Sequence, residues 1–443
     1  MAVCLGRQTL TGALTTCGRL QQDWSAAYRT FERERFDAEG LFAVARREST
    51  RLLAEQEPLV VVADDTLAPR RGRKVAAAAW RHDPQGPPFQ HQIRWAQQVF
   101  ELCAMLPAPD PAQAARAVPI DLVLRHTPRK RRKSAPAHQQ PEDPQAQREE
   151  ALPAICARRL ADLRAALDED GQARRPLVAA FDGGYTNTTL FRNIPPRTTL
   201  VGRVRKDAKL FGVPEADPSG RGRPRIYGKP LARPQELLAE DALAWQSTTL
   251  WAAGKLRTFQ YKTIERCRWK GAGARDLRLI LVRPLSQHPH EAGRRLFFAH
   301  PGYLLVSDPQ LDVRRALQAY VWRWEIEVGF REQKTGLGLG QAQTRTRSSC
   351  TWLLQFQAFV YALMLLAART ARISAPPRPR WQGRAVPNQR ITFGQIQSLM
   401  RIELWSSALG LRNKNDFNSK RPPDTKPPKI KNTLHTAVIY ASR

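Results

Sequence analysis

Two short apolar runs organise the pattern of hydrophobic and polar positions: LVVVA at residues 59–63, after Pro58, and LVAAF at residues 177–181. Both have the length of a strand buried on two faces. Each runs directly into acid, the first into Asp64-Asp65-Thr66 and the second into Asp182-Gly183-Gly184-Tyr185. Between them, residues 149–170 carry Leu152, Ile155, Leu160, Leu163 and Leu167 at helical spacing, with Gly171 as the stop. Residues 118–124 predict a further strand. Alternation of helix and strand indicates an α/β fold in which neighbouring strand ends converge on one edge of a sheet.

Outside this centre the pattern changes. Residues 18–56 alternate apolar and charged groups at helical spacing, with Trp24, Tyr28, Phe31, Phe36, Leu41 and Phe42 on the apolar side, which predicts a helical N-terminal region over 1–56 that binds DNA or packs on the body. Residues 87–106 and 112–125 are mixed apolar elements. From about 200 to 305 short strand-like runs separated by Gly and Pro predict a β-rich insertion. Residues 352–368 are apolar but interrupted by Gln355 and Gln357, so a buried core helix is expected rather than a membrane span. A basic, Pro-rich region over 371–443 contains one short helix at 391–405. The central body is therefore expected to span 57–370.

A helix is also predicted through residues 320–334, YVWRWEIEVGFREQK, with Asp312 as N-cap upstream and the glycines at 336, 338 and 340 closing it. In one continuous helix Tyr320, Arg323, Glu327, Arg331 and Lys334 fall within about 80° of one another. One carboxylate is thus flanked by three cations and a phenol. Taken alone, such a stripe also fits a solvated face held by i,i+4 pairs.

Charge changes the picture. Seventy-one Lys and Arg against 40 Asp and Glu give a formal net charge of +31, spread along the chain, and so a polyanionic partner, with nucleic acid the first choice and no basic amphipathic anchor for a membrane. Residues 69–75, PRRGRKV, place Arg70, Arg71, Arg73 and Lys74 in a turn suited to phosphates. Residues 125–147 are basic and rich in Pro and Gln, a loop expected to track DNA. Arg221-Gly222-Arg223-Pro224 matches the core of a minor-groove hook or is a plain basic loop. Trp245, Trp251 and Trp269 are either a stacking surface for an unpaired base or sheet core. The six cysteines lack CxxC or Cys/His ligand spacing, and the N-terminus lacks a long apolar segment, so a reducing cytoplasm is expected.

Three acidic positions stand out: the Asp64/Asp65 pair, Asp182 and Glu327. Asp182 can equally be a turn former before Gly-Gly. Brought together, three carboxylates would make an oxygen-rich site suited to Mg²⁺. Two such ions about 3.5–4 Å apart activate a water or a 3′-hydroxyl and stabilise the leaving oxygen in phosphodiester displacement.

Tyr320, Arg323, Glu327 and Lys334 form Y-x2-R-x3-E-x6-K, which resembles the signature of bacterial insertion-sequence DDE transposases. Asp182-Gly183-Gly184-Tyr185 and the strand ending in ADDT are similar to that family's two aspartate motifs. The resemblance covers roughly residues 55–370. It implies a ribonuclease H-like mixed sheet flanked by helices, with Asp64 or Asp65, Asp182 and Glu327 as catalytic metal ligands. Asp64 is favoured because the family often shows Asp, any residue, Thr. It implies Mg²⁺, with Mn²⁺ able to substitute, and phosphate contacts from Tyr320, Arg323 and Lys334. It also implies nicking of transposon ends, strand transfer into target DNA, and a homodimeric synaptic complex on terminal inverted repeats. In the cut-and-paste subgroup the freed 3′-hydroxyl makes a hairpin. An inactive DNA-binding relative, a nuclease of the same fold, and a basic nucleic-acid-binding protein without catalysis are the competing expectations.

Overall fold

The computed structural model describes residues 2–126, 148–214, 225–284, 300–373 and 390–405, except 5, 7, 20, 34, 84, 85, 87, 88, 90, 111, 112, 253 and 372. Nearly all of the basic segment 125–147, the Arg221-Gly222-Arg223-Pro224 hook, the strand-like run at 294–299 and the tail beyond 405 lie outside the described residues.

An eleven-stranded mixed sheet, flanked by helices, forms the body. Its centre is β1 (Leu59–Pro69), joined in parallel to β5 (Leu177–Phe181) and through it to β6 (Thr198–Arg203). On its other side β1 pairs antiparallel with β3 (Ile93–Leu106), whose outer edge carries β2 (Ala79–His82) and then β4 (Arg116–Arg125). The aspartates do not end the first strand. β1 continues to Pro69 because β3 keeps pairing with it, from Asp64 opposite Glu101 to Pro69 opposite Ala96.

Residues of the expected insertion extend this same sheet. β11 (Gly302–Val306) pairs antiparallel with β6, followed outward by β10 (Leu277–Val282) and β9 (Lys255–Trp269). β8 (Gln246–Ala252) folds back on β9, and the two-residue β7 (Leu210–Phe211) pairs with its far end.

Alternation along the strands sorts the core into two layers. Leu59, Val61 and Ala63 face a layer that includes α3 (Ala38–Arg51), α4 (Leu152–Glu169) and the middle of α9 (Arg347–Thr370). Val60 and Val62 face the opposite side, against α7 (Val313–Trp322) and α8 (Glu325–Gly336). α9 is long and apolar enough to cross a membrane, yet Leu354, Ala358, Tyr361 and Leu365 are core residues and buried Gln357 donates to the carbonyls of Leu337 and Gly338. α1 (Leu10–Thr16) and α2 (Ser25–Glu32) precede α3. The small α5 (Thr188–Arg192) and α6 (Pro234–Ala239) lie in connections, and α10 (Phe393–Trp405) packs its Phe393 ring, tilted, against Tyr361.

The 320–334 stretch is not one helix. α7 ends at Trp322 and α8 begins at Glu325; at the junction the amides of Arg323, Ile326 and Glu327 bond to carbonyls three residues back. The tightened step breaks the single stripe the spacing predicts. It also turns Arg323 and Glu327 back toward the sheet.

Candidate active site

Asp64 belongs to the even-numbered face of β1, the side covered by α7 and α8. Val62 is level with Ala180 on the parallel neighbour, so two residues further on Asp64 is level with Asp182, just past the end of β5. Adjacent strands are about 4.8 Å apart, so the two carboxylates share one rim. Asp182 is held by its own turn: Oδ1 accepts from the Gly184 amide at 2.9 Å, and Thr186 Oγ1 donates to the Asp182 carbonyl at 2.9 Å.

Asp65 points the other way. Tyr185 donates to its Oδ1 at 2.9 Å and Gln98 to its Oδ2 at 2.6 Å. Burial pushes the Tyr185 hydroxyl far above its ordinary range, with Asp65 adding to the effect, so the phenol stays a donor. The pair that the sequence leaves open is thereby divided by the strand's two-residue period: Asp64 faces Asp182 and the helices, and Asp65 ties β1 to the opposite layer.

From the helix junction, Arg323 reaches into the same rim. Its Nη1 donates to Glu327 Oε1 at 3.1 Å and lies 3.9 Å from Asp64 Oδ2, while its guanidinium sits 5.9 Å from the centre of the Tyr320 ring. Asp64, Asp182, Glu327, Tyr320 and Arg323 therefore form one cluster. Burial, reinforced by Asp182 and Asp65, raises the Asp64 carboxyl to about 7 even though the Asp65 amide and Arg323 oppose it. Glu327 is raised in the same way by burial, with Arg323 opposing. Lys334 joins from the end of α8, its ammonium 2.6 Å from Thr66 Oγ1 on β1, and burial lowers its pKa. Arg331 is exposed on α8, and no ion pair with these carboxylates involves it among the described residues.

The basic turn divides too. Arg71, Arg73 and Lys74 are exposed. Arg70, expected to meet phosphates, is instead drawn inward: Nε donates to Gln97 at 2.8 Å and Nη1 to the carbonyls of Gly340 and Ala342. It clamps the turn after β1 to the loop after α8. Backbone oxygens left bare by the glycine turns, where Gly338 and Gly340 have positive φ, supply the reason. Trp269 packs edge-on against Phe191 at the core, and Trp245 has Lys262 Nζ 4.5 Å over its ring, with Arg283 at 5.5 Å. Trp251 is half-buried on β8.

Sequence reasoning missed Glu101 and Gln333. Glu101 is fully buried opposite Asp64 on β3, and its two oxygens each accept from Gln333 Nε2 at 3.0 Å, while Cys103 Sγ lies 3.2 Å from Oε1. Burial raises its carboxyl to about 7. Gln333 precedes Lys334 on α8, so this contact fixes α8 against the strand pair that carries Asp64. A single Glu inside the apolar run VFELCAML was the available signal. Arg203 at the end of β6 was also missed; its charge is felt by Tyr320, and it lines clefts with Gly183 and Thr186 on one side and Tyr320 on the other.

The donor chemistry fits a hard divalent ion: carboxylate oxygens on three separate elements, at a rim where burial makes each unneutralised charge costly. The spacing is open. Among the described residues no group of three or more His, Cys, Asp or Glu side chains is drawn together tightly enough to hold a metal ion, and the positive charge between Asp64 and Glu327 is the Arg323 guanidinium.

A family model described as DDE superfamily endonuclease matches residues 1–275, more than half of the chain. The chain belongs to that family and is an enzyme class that acts on DNA. The matched segment contains Asp64, Asp65 and Asp182 and stops short of Glu327. No curated protein matches the chain.

Proposed function

We propose that the protein is a DNA transposase of the insertion-sequence type with a ribonuclease H-like catalytic domain, and that Asp64, Asp182 and Glu327 are its metal ligands. The observation that supports this best is the meeting of these carboxylates, from β1, the end of β5 and α8, on one sheet face around Arg323. When bound, Mg²⁺ would supply an activated water or 3′-hydroxyl and stabilise the leaving oxygen, the chemistry of two-metal phosphodiester displacement.

The protein's own groups do the rest. Asp64, Asp182 and Glu327 provide the negative site. Tyr320, Arg323 and Lys334 hold phosphates beside the scissile bond, and exposed Arg71, Arg73 and Lys74 draw the duplex in. Arg323 carries five N–H donors, of which Glu327 takes one on Nη1, so another can meet a phosphate. A homodimer on terminal inverted repeats completes the reading.

The test uses DNA carrying the sequences that flank the coding region. Wild type with Mg²⁺ nicks the ends and joins them to a second DNA, and Glu327→Gln binds the same DNA without cutting it. Cutting without joining would leave the simpler nuclease that family membership alone also allows. Cutting by Glu327→Gln at the wild-type rate would refute the assigned site.

A further inference from the structure

The β2–β3 ladder carries an aromatic surface that the proposed site does not use. Trp80 on β2 is 69% exposed and stands opposite Trp95 on β3, the two rings edge-to-face with centres 5.6 Å apart. Ile93, two residues before Trp95 on the same face of β3, is 55% exposed. Trp95 is oriented from behind: its indole N–H donates to the Gly72 carbonyl at 3.0 Å, which ties the pair to the exposed cations Arg71, Arg73 and Lys74.

Register places this surface relative to the active site. Along β1 and β3, Asp64 is opposite Glu101, and by the two-residue period Val99, Gln97, Trp95 and Ile93 share the face of Glu101. Trp80, opposite Trp95, shares it as well. Trp95 is level with Arg70, its carbonyl accepting the Arg70 amide. Six residues of strand separate that level from Asp64, about 20 Å. The aromatic surface and the carboxylate rim thus lie on one side of the sheet, with Leu339 and Gly340 of the loop after α8 packed on Val99 and Ala68 between them.

Exposed cations alone would serve duplex phosphates. A large exposed indole among them matches the other way nucleic acid is held, in which the bases of an unpaired strand stack on aromatic rings while cations follow the backbone. A second copy of this chain is disfavoured as occupant, because a two-fold contact would bring both copies of the Arg71, Arg73 and Lys74 cluster into one interface. We propose that Trp80, supported by Trp95 and flanked by Arg71, Arg73 and Lys74, is a stacking platform for unpaired nucleobases of the DNA strand leaving the catalytic rim. The proposal deepens the transposase reading and rests on it for the direction from which DNA comes.

Binding is measured by fluorescence anisotropy, in chelator and at fixed salt, with a single-stranded oligonucleotide of mixed sequence and with the same sequence as a blunt duplex. Trp80→Ala is expected to weaken single-strand binding about tenfold and duplex binding by less than about twofold, with Trp80→Phe close to wild type. Trp80 is largely exposed, so the variant keeps its fold, as circular dichroism will show. Unchanged single-strand affinity, an equal loss on both DNAs, or a Trp80→Ala protein that loses self-association instead would each overturn the platform. Chelator removes cleavage from the readout, so the platform can fail while the metal site stands, and the reverse.

Discussion

Arg323 donates to Glu327 at 3.1 Å from the junction between α7 and α8, and the same Nη1 stands 3.9 Å from Asp64. An internal cation therefore lies between Asp64 and Glu327 in the DNA-free chain. Its Nε is buried without a hydrogen-bond partner, so the guanidinium is held by charge more than by a complete donor set.

Removing that cation should separate two effects. Arg323→Ala is expected to tighten Mn²⁺ binding to the DNA-free protein by at least about tenfold, because a like charge beside the ion is gone. The same change should weaken DNA binding and reduce the slope of log affinity against log salt by about one. Calorimetry and salt titration check the two halves. Weaker Mn²⁺ binding would show that Arg323 supports the metal site rather than filling it.

Asp64 and Asp65 should part company. Asp64→Asn removes a charge that burial disfavours, so at pH 8 the metal-free variant should be at least as stable as wild type and should not cleave DNA. Asp65→Asn unsettles the bonds from Tyr185 and Gln98 and should cost about 1–3 kcal/mol of stability while retaining cleavage. Urea unfolding and a nicking assay on both variants decide it. The reverse pattern would exchange their roles.

Glu101 is a positioning residue: it acts on Asp64 and Lys334 through Gln333. Glu101→Gln should reduce cleavage about tenfold, in the range seen for groups that orient metal ligands. Adding Gln333→Glu reverses donor and acceptor and should restore cleavage to within about threefold of wild type. DNA affinity should stay constant across the set. A double variant no better than the single one would remove this contact from the account.

The pH dependence of the metal-free protein follows from the same groups. Asp64 and Glu101 are raised to about 7 in the folded chain, above the ordinary values of about 4 that they regain on unfolding. Between these limits the folded state holds protons that the unfolded state has released. Their contribution to stability is therefore full below about pH 4, falls as pH rises toward 7, and stays lost above it. Urea unfolding at a series of pH values should show this decline, with Asp64→Asn flattening it. Divalent ions should oppose it, since they compete with the same protons.

Much of the centre was legible in the sequence because its signals are local. LVVVA and LVAAF become adjacent parallel strands, and the helix at 149–170 falls between them, since buried runs and helical spacing are written in consecutive residues. The length of β1 was not legible: its extension depends on β3, 27 to 37 residues further along the chain, continuing the ladder from Asp64 opposite Glu101 to Pro69 opposite Ala96. The break at Arg323 was hidden for the opposite reason, because the spacing of Tyr320, Arg323, Glu327 and Lys334 suits an unbroken helix and only packing on the sheet forces the step. Arg70 looked like Arg71 and Arg73 in the chain. What separates them is the pair of carbonyls at Gly340 and Ala342, brought in from the far side of α8.

Direct ligation by Asp182 can be tested by changing the softness of one donor. Asp182→Cys replaces a carboxylate with a thiolate, which accepts Mn²⁺ far better than Mg²⁺. Wild type should cleave DNA with either ion, and Asp182→Cys should be inactive with Mg²⁺ and regain cleavage with Mn²⁺. Equal activity of the variant in Mg²⁺, or no recovery in Mn²⁺ while DNA binding and fold are intact, would contradict a metal held by Asp64, Asp182 and Glu327.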